Sequence, residues 1–467
     1  MSDETLNSEI TPAISSQVRP RFRRVAIAAF IVLIPIALFA LWDYIEARRL
    51  GAAVKALREA KQPLTTQSSF SDATRPDNAA RYYNAASSLV DLSDTYGPPP
   101  GLMARLDRGE PGSPDLLAEV RGVLDRNREA EALLQRATNL EFRGMRPGFE
   151  FTLRWGQLGE LSRLASLRTY ERVESGDPDG AGEAIVQNLR LVYPLSWNNR
   201  ANTVEALSVW SSSAAKQGMR ALPQLLELNP SVLTLERLSR EISALDVDDA
   251  IEQSVVLERA VLVQTFWNEP HQWYARPWRN YVPGPWWQLL RPWLGHRATS
   301  LVAIMNEQQN VARQPWPERL RADGPLPEPA RWSFIRTIVG QYSDEVIRYQ
   351  HAQRVASIAY RLSLTRAASA LVAVERYRRS HNGALPEALS GAVPEYLPSV
   401  PIDPYSGQEM RYRREADRVV VYSVGENRKD DGGSKLGEAP SRRWGIYLED
   451  QPPPDIGLMM RVSDGSK

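Results

Sequence analysis

The sequence predicts a mostly α-helical chain with a C-terminal α+β module: one transmembrane helix, a helical bundle, then a long helix plus a small antiparallel sheet. Three observations predict it. Val25 to Trp42 reads VAIAAFIVLIPIALFALW, 18 residues without a charge. Apolar residues recur at helical spacing through most of the remaining chain. After Gly383 the helical pattern gives way to short apolar segments punctuated by prolines.

Composition narrows the functional classes. The 467 residues carry 57 Lys+Arg against 56 Asp+Glu, a net charge of +1. That balance argues against a nucleic-acid partner, which needs a clustered basic excess. At 43% hydrophobic residues the chain has enough apolar side chains for a core. With no cysteine, disulfides, thiolate nucleophiles and thiolate metal sites are excluded. Four histidines, His271, His296, His351 and His381, leave little room for an imidazole cage.

The elements follow in order. Residues 1–24 form a cytoplasmic tail and 25–42 the anchor, about 27 Å long at 1.5 Å per residue. Pro35 inside it is tolerated in a membrane helix. Arg19, Arg21, Arg23 and Arg24 cluster before it, while Arg48, Arg49, Lys55 and Arg58 follow. The tight cluster on a short tail favours an inside N-terminus. The bulk is then expected on the outer or periplasmic side of the cytoplasmic (inner) membrane, single-pass and uncleaved, because the apolar run continues through Leu41 and Trp42 past a weak cleavage-like Ala37–Ala40 string.

Residues 43–77 read as a stalk helix and linker. Ile45, Leu50, Val54 and Leu57 give the stalk a thin apolar stripe, Pro63 ends it, and Thr65 to Asp77 is Ser/Thr-rich. Residues 78–342 read as a helical domain. Ala80, Tyr83, Ala86, Leu89 and Leu92 step helically. Leu164 to Leu191 reads as a helical hairpin turning at Gly176–Gly180, with no second copy at a fixed period. Asn229-Pro230 reads as an N-cap followed by a first-turn proline. Within this domain the Trp/Pro-rich arm 266–293 holds Trp267, Trp273, Trp278, Trp286, Trp287 and Trp293. These are ligand or interface candidates, as a stacking surface or a membrane-interface belt; packing on the helical body is the simpler alternative.

Residues 343–467 form the last module. Ser343-Asp344-Glu345 caps a helix running to Ser380, with Val355, Ile358, Leu362, Ala367, Leu371, Val374 and Tyr377 on its apolar face. Asn382-Gly383 closes it. Glu409–Arg413 and Arg418–Ser423 read as a hairpin, and Gly445–Leu448 and Gly457–Val462 as further edge strands.

An ordered series runs through this module: Tyr377, Asn382-Gly383, Pro386, Leu389, Tyr396-Leu397-Pro398, Pro401, Asp403-Pro404, Tyr412, Tyr422-Ser423, Gly425, Asn427 and Gly432-Gly433. In this series the module resembles the globular half of the major pseudopilin of type II secretion systems. The whole layout is similar to membrane-anchored bacterial envelope proteins. The resemblance implies calcium in the loop after the hairpin, with Asn427, Asp430 and Asp431 supplying side-chain oxygens. It departs from that family in placing the anchor far upstream of the module.

Other chemistry has bland readings. Ser213 and Lys216 match S-x-x-K without companion motifs. Asp246, Asp248 and Asp249 read as helix-terminating residues, and His271 near Glu269 has no nucleophile beside it. His351 and His381 read as helix-surface and turn residues, and Glu150, Glu160, Glu171 and Glu174 as a solvated face. No catalytic residue or organic cofactor is expected. The expected role is non-catalytic, structural or interaction work in the envelope with a protein partner. The alternatives are a periplasmic ligand-binding module using the Trp-rich arm, and an unrecognised hydrolase.

Overall fold

The computed structural model describes residues 18–64, 76–93, 102, 106, 113–142, 155–191, 218–219, 221–246, 250–263, 291–322, 344–433, 436, 442–443, 446–447 and 455–462. Within them the chain is mostly helical, with a small antiparallel sheet near the C-terminus. It divides into two compact units, residues 1–64 with 262–303 and residues 65–261 with 304–467. The sequence reading divides the chain consecutively, at 77 and 342. The contacts divide it otherwise, because the long C-terminal helix packs on helices of the middle segment as well as on the sheet.

In the first unit, helix α1 spans Val18–Glu59. Its part from Ile27 onward is long and apolar enough to cross a membrane, and the apolar window is wholly unburied. Phe30, Ile31 and Leu33 are 66%, 67% and 61% exposed, a hydrophobic surface that lipid rather than water suits. Beyond Trp42 the helix gains a protein-facing side. Leu50, Val54 and Leu57 cluster with Val263, Ala298 and Val302. Ile45, read as part of that stripe, is exposed instead, and buried Glu46 takes the inward position. The helix stops before Pro63, with Lys61 left-handed at φ 52°.

The second unit opens with α2 (Ala79–Leu89), α3 (Pro114–Arg126) and α4 (Arg128–Thr138). The first two start for local reasons: Asn78 accepts from the Ala80 N–H, and Ser113 accepts from Leu116 N–H ahead of Pro114. Tyr83 and Ala86 of α2 face inward as the spacing predicts, but Leu89 is exposed. A cluster of Leu92, Leu116, Val120, Val123, Leu124, Leu164 and Leu167 joins α3 to the next hairpin.

That hairpin is α5 (Trp155–Glu174) and α6 (Pro178–Arg190), where the sequence places it. Gly176 supplies φ 70°, Asp177 caps Gly180 N–H at 2.9 Å, and Pro178 holds the first helical position. Inside, Ser162 Oγ donates to Asn188 Oδ1 (2.6 Å), and the buried Asn188 amide donates to Ser162 O and Ser166 Oγ.

The turn between α7 (Leu222–Glu227) and α8 (Val232–Ser243) corrects the Asn229-Pro230 reading. Asn229 is left-handed at φ 62° and terminates α7; the cap of α8 is Ser231, whose Oγ accepts from Thr234 N–H at 3.2 Å. An Asn before a Pro serves either end, and here the αL tolerance of Asn decides. Helices α9 (Ala250–Val263), α10 (Arg291–Ala312) and α11 (Glu318–Ala322) follow.

Helix α12, Asp344–Ser380, is the longest in the second unit and is buried over most of its length. Two readings are corrected here and on α5. His351 is 1% exposed rather than on the surface, and burial, with Arg354 beside it, pushes its pKa down to about 3. Glu171, read as solvated, is buried. Burial pushes it up, but the hydrogen bond and charge of Arg168 outweigh that and leave it below the usual carboxylate range.

After Asn382 and Gly383, both at positive φ, a 3₁₀ turn (Leu389–Ala392) leads to β1 (Arg411–Arg414) and β2 (Arg418–Ser423). β1 begins later than predicted because Glu409 bridges Ile402 and Met410 N–H donates to Pro401 O. Strands β3 (Arg442–Arg443) and β4 (Ile446–Tyr447) form a separate two-stranded pair. β5 (Ile456–Arg461) pairs with β2, so the main sheet has the order β1-β2-β5, all antiparallel. Arg411 opposes Tyr422 and Ser423 opposes Ile456.

Asn127, 2% exposed, accepts from Asp91 N–H and donates to Asp91 O and Val123 O. Asn127→Ala strands these groups and is expected to cost about 2 kcal/mol in urea unfolding. A loss below about 0.5 kcal/mol would show the bridge to be idle.

Candidate functional site

The loop at the end of β2 carries the residues nominated for metal. It is organised from below by two aspartates. Asp403, 1% exposed, accepts from Tyr405 N–H (2.9 Å), Ser406 Oγ (2.8 Å), Ser423 Oγ (2.6 Å) and Val424 N–H (3.1 Å). This fixes the entrance of the loop to the Pro-rich segment. Asp455, just before β5, accepts from Asp431 N–H (3.3 Å) and Gly433 N–H (2.6 Å), which fixes the exit.

Between them the loop turns through left-handed positions at Gly425, Arg428, Gly432 and Gly433. Asn427 Nδ2 donates to Asp431 Oδ2 at 2.7 Å, while Asn427 Oδ1 accepts from Lys429 N–H. Asp430 Oδ1 accepts from Tyr422 OH (2.9 Å) and Gly432 N–H (3.0 Å), and Arg411 Nε lies 3.5 Å from its other oxygen. Asn427, Asp430 and Asp431 are therefore brought into one loop, as the sequence suggests. Among the described residues, no three histidine, aspartate or glutamate side chains form a group that could hold a metal ion.

Negative charge is nonetheless concentrated there. Burial, with Asp430 and Asp431 nearby, raises Asp455 above the usual carboxylate range, against the two backbone N–H groups that lower it. Burial pushes Tyr422 up to about 12, with the Asp430 hydrogen bond adding to it. A divalent cation would relieve this repulsion, and carboxylates plus loop carbonyls are the donors calcium takes.

Trp267, Trp273, Trp278, Trp286 and Trp287 lie outside the described residues, as do His271 and Glu269. Trp293 stands half-buried in the first turn of α10.

Sequence reasoning missed a second site. A cavity of about 510 Å³ opens among α2, the residues after α4, α6 and α8. Tyr83 and Phe142 form an aromatic wall, their ring centroids 6.3 Å apart and tilted 57°. Arg190 forks onto Glu241 with Nε 2.9 Å and Nη2 2.6 Å from the two carboxylate oxygens, and Nη1 donates to Thr138 O. Arg240 stands exposed at the rim. These residues lie far apart in sequence, so no local spacing signals them.

No protein-family model, no curated protein and no solved structure matches this chain. The pseudopilin resemblance rests on its residue series alone.

Two outcomes are expected at the loop. Gly433 sits at φ 65°, and a Cβ there would lie 2.9 Å from Val420 Cγ1 and 3.1 Å from the Tyr422 ring. Gly433→Ala is expected to cost about 1–3 kcal/mol, read as a lower melting temperature. For Asp455 the folded-state pKa lies above its unfolded value. Its contribution is most favourable in acid and is lost as pH rises through the folded pKa. Asp455→Asn removes this slope: the wild type should lose stability relative to the variant as pH rises above about 4, the ordinary Asp value. Parallel pH profiles would contradict the assignment.

Proposed function

We propose that this chain is a single-pass, membrane-anchored envelope protein with a non-catalytic structural or interaction role, linked to a secretion or pilus-like apparatus through its C-terminal module. The body lies on the periplasmic side of the cytoplasmic membrane. The lipid-suited surface of α1 supports the anchor. One observation carries the interaction role: the corner between α7 and α8 leaves Leu228, Val232 and Leu233 in solvent, Leu233 at 77% exposure. Such a run of apolar side chains at one turn suits a protein partner. Beside the corner, Arg379 donates to Pro230 O and shares the buried Glu375 carboxylate with Arg378, so that carboxylate is committed to bracing.

Calcium belongs to this reading through Asn427, Asp430, Asp431 and the charge held at Asp455. A second reading is favoured by the cavity beside Tyr83 and Phe142, which would suit a ligand with an apolar body and an anionic group facing Arg240.

In bacterial cells the full chain should resist carbonate extraction, and external protease should cut its body in spheroplasts; release by carbonate would refute the anchor. A photo-crosslinker at Leu228 should give a discrete adduct that disappears with Leu233→Asp while the melting temperature stays within about 1 °C. An adduct indifferent to that change would overturn the corner as the contact. In detergent, millimolar calcium should raise the melting temperature over chelator, and Asp430→Asn with Asp431→Asn should abolish the rise. No shift in the wild type removes calcium from the reading.

A further inference from the structure

The first unit holds a surface at the level where α1 leaves its apolar span. Gly295 of α10 abuts Glu46; a Cβ on it would lie 3.2 Å from Glu46 Cβ. Ala298 and Val302 then join the cluster of Leu50, Val54 and Leu57. Later residues of α10 therefore meet later residues of α1, and the two helices run side by side in the same direction. Arg291 precedes Gly295 by four residues, as Trp42 precedes Glu46, so both lie about 6 Å back along their helices at 1.5 Å per residue. The start of α10 is thus level with the end of the apolar span.

The chemistry at this level is that of a membrane interface. Trp42 and Tyr44 are 42% and 58% exposed, and Trp293 is half-buried. Tyr44 OH accepts from Arg48 Nη1 at 3.4 Å, and the Arg48 guanidinium lies 5.7 Å from the Tyr44 ring centroid. Glu46 points inward: it is 3% exposed, with Arg49 Nη1 at 3.0 Å and His296 Nδ1 at 3.5 Å from its Oε1, while Asp43 at the same level is half-buried. The cations face outward: the Arg49 side chain is 60% exposed and Arg48 is also exposed, and the His296 ring beside them is 52% exposed. Aromatic rings beside outward cations are the pattern that headgroups and their phosphates select.

We propose that Arg48, Arg49 and His296, flanked by Trp42, Tyr44 and Trp293, form a docking surface for the phosphate headgroups of anionic phospholipid, seating the start of α10 on the bilayer. This rests on the membrane-span reading of α1. The occupant is a lipid because the exposed guanidinium groups of Arg48 and Arg49 are continuous with an apolar span, while Glu46 is buried behind them and Asp43 is half-buried.

The chain has no cysteine, so single-cysteine probes carry no background. Full-length Ile31→Cys, His296→Cys and Glu59→Cys are labelled with a fluorophore in nanodiscs containing headgroup- or chain-nitroxide lipid. The probe at 31 should be quenched by chain nitroxide. The probe at 296 should be quenched by headgroup nitroxide at least about twofold more than the probe at 59, which lies about 20 Å further along α1 from Glu46. In nanodiscs of phosphatidylcholine with phosphatidylglycerol, the wild type should retain phosphatidylglycerol preferentially in native mass spectrometry. Arg48→Gln with Arg49→Gln should bring retention to parity, and millimolar inorganic phosphate should not compete.

An unquenched probe at 31 would fail the span and this proposal together. A quenched 31 with 296 no closer than 59 would keep the span and overturn the proposal. Equal retention of the two lipids by the wild type would overturn it as well, and competition by free phosphate would replace the headgroup with a soluble anion.

Discussion

The second unit depends on one guanidinium. Arg366 is 6% exposed on α12 and sits where three pieces of chain converge. It forks onto Asp246, at the end of the segment following α8, with Nε and Nη2 at 3.0 and 2.9 Å from Oδ1. Its remaining arm donates to Ile402 O at 2.8 Å, in the Pro-rich segment ahead of the sheet. A planar fork with donors on both edges can serve a carboxylate and a carbonyl at once, which a lysine ammonium cannot do with the same geometry. Because the cation is desolvated, its partners are required rather than optional: removing one leaves a buried charge uncompensated, at a cost of about 3–5 kcal/mol.

The same device recurs where helices meet. Glu375 is fully buried and accepts from both Arg378 and Arg379, and Arg379 also reaches Pro230 O in the turn before α8. Arg354, 3% exposed, reaches Glu258 on α9, and Arg259 is held by Asn306 and Gln309 of α10. Helix α12 is thus a keyed spine. Its leucines and valines supply burial, and its arginines fix which neighbours it meets and in what register.

Much of this was legible in the sequence because it is local. The spanning-length part of α1 is an uninterrupted apolar run, the α5–α6 hairpin announces itself through Gly176, Asp177 and Pro178, and the hairpin of β1 and β2 through Tyr412 and the Val419–Tyr422 run on either side of a polar turn. The candidate loop was legible as a collection of Asn, Asp and Gly, and the structure does place Asn427, Asp430 and Asp431 together. What sequence spacing could not show is which charges are buried. His351, Glu171 and Glu46 have solvent-like sequence neighbours, and their burial depends on helices that return from far along the chain. Asp403 stands in the residue series of the last module, but its role and that of Asp455 could not be read there, since both accept hydrogen bonds from a loop elsewhere in the chain. The aromatic cavity is assembled from four separate segments and has no local signature.

The order of chain pairing also sets an order of assembly. The α5–α6 hairpin closes over neighbouring residues, so it can form as soon as it is synthesised. The last strand is different: Arg461 N–H donates to the Glu227 carboxylate at 3.0 Å across 234 residues, and Arg379 returns to Pro230 across 149. Contacts of such separation form slowly, because loop closure precedes any gain. The α7–α8 corner and the long helix stay incomplete until the C-terminal strand arrives. What folds early is therefore small, and what locks the body comes last.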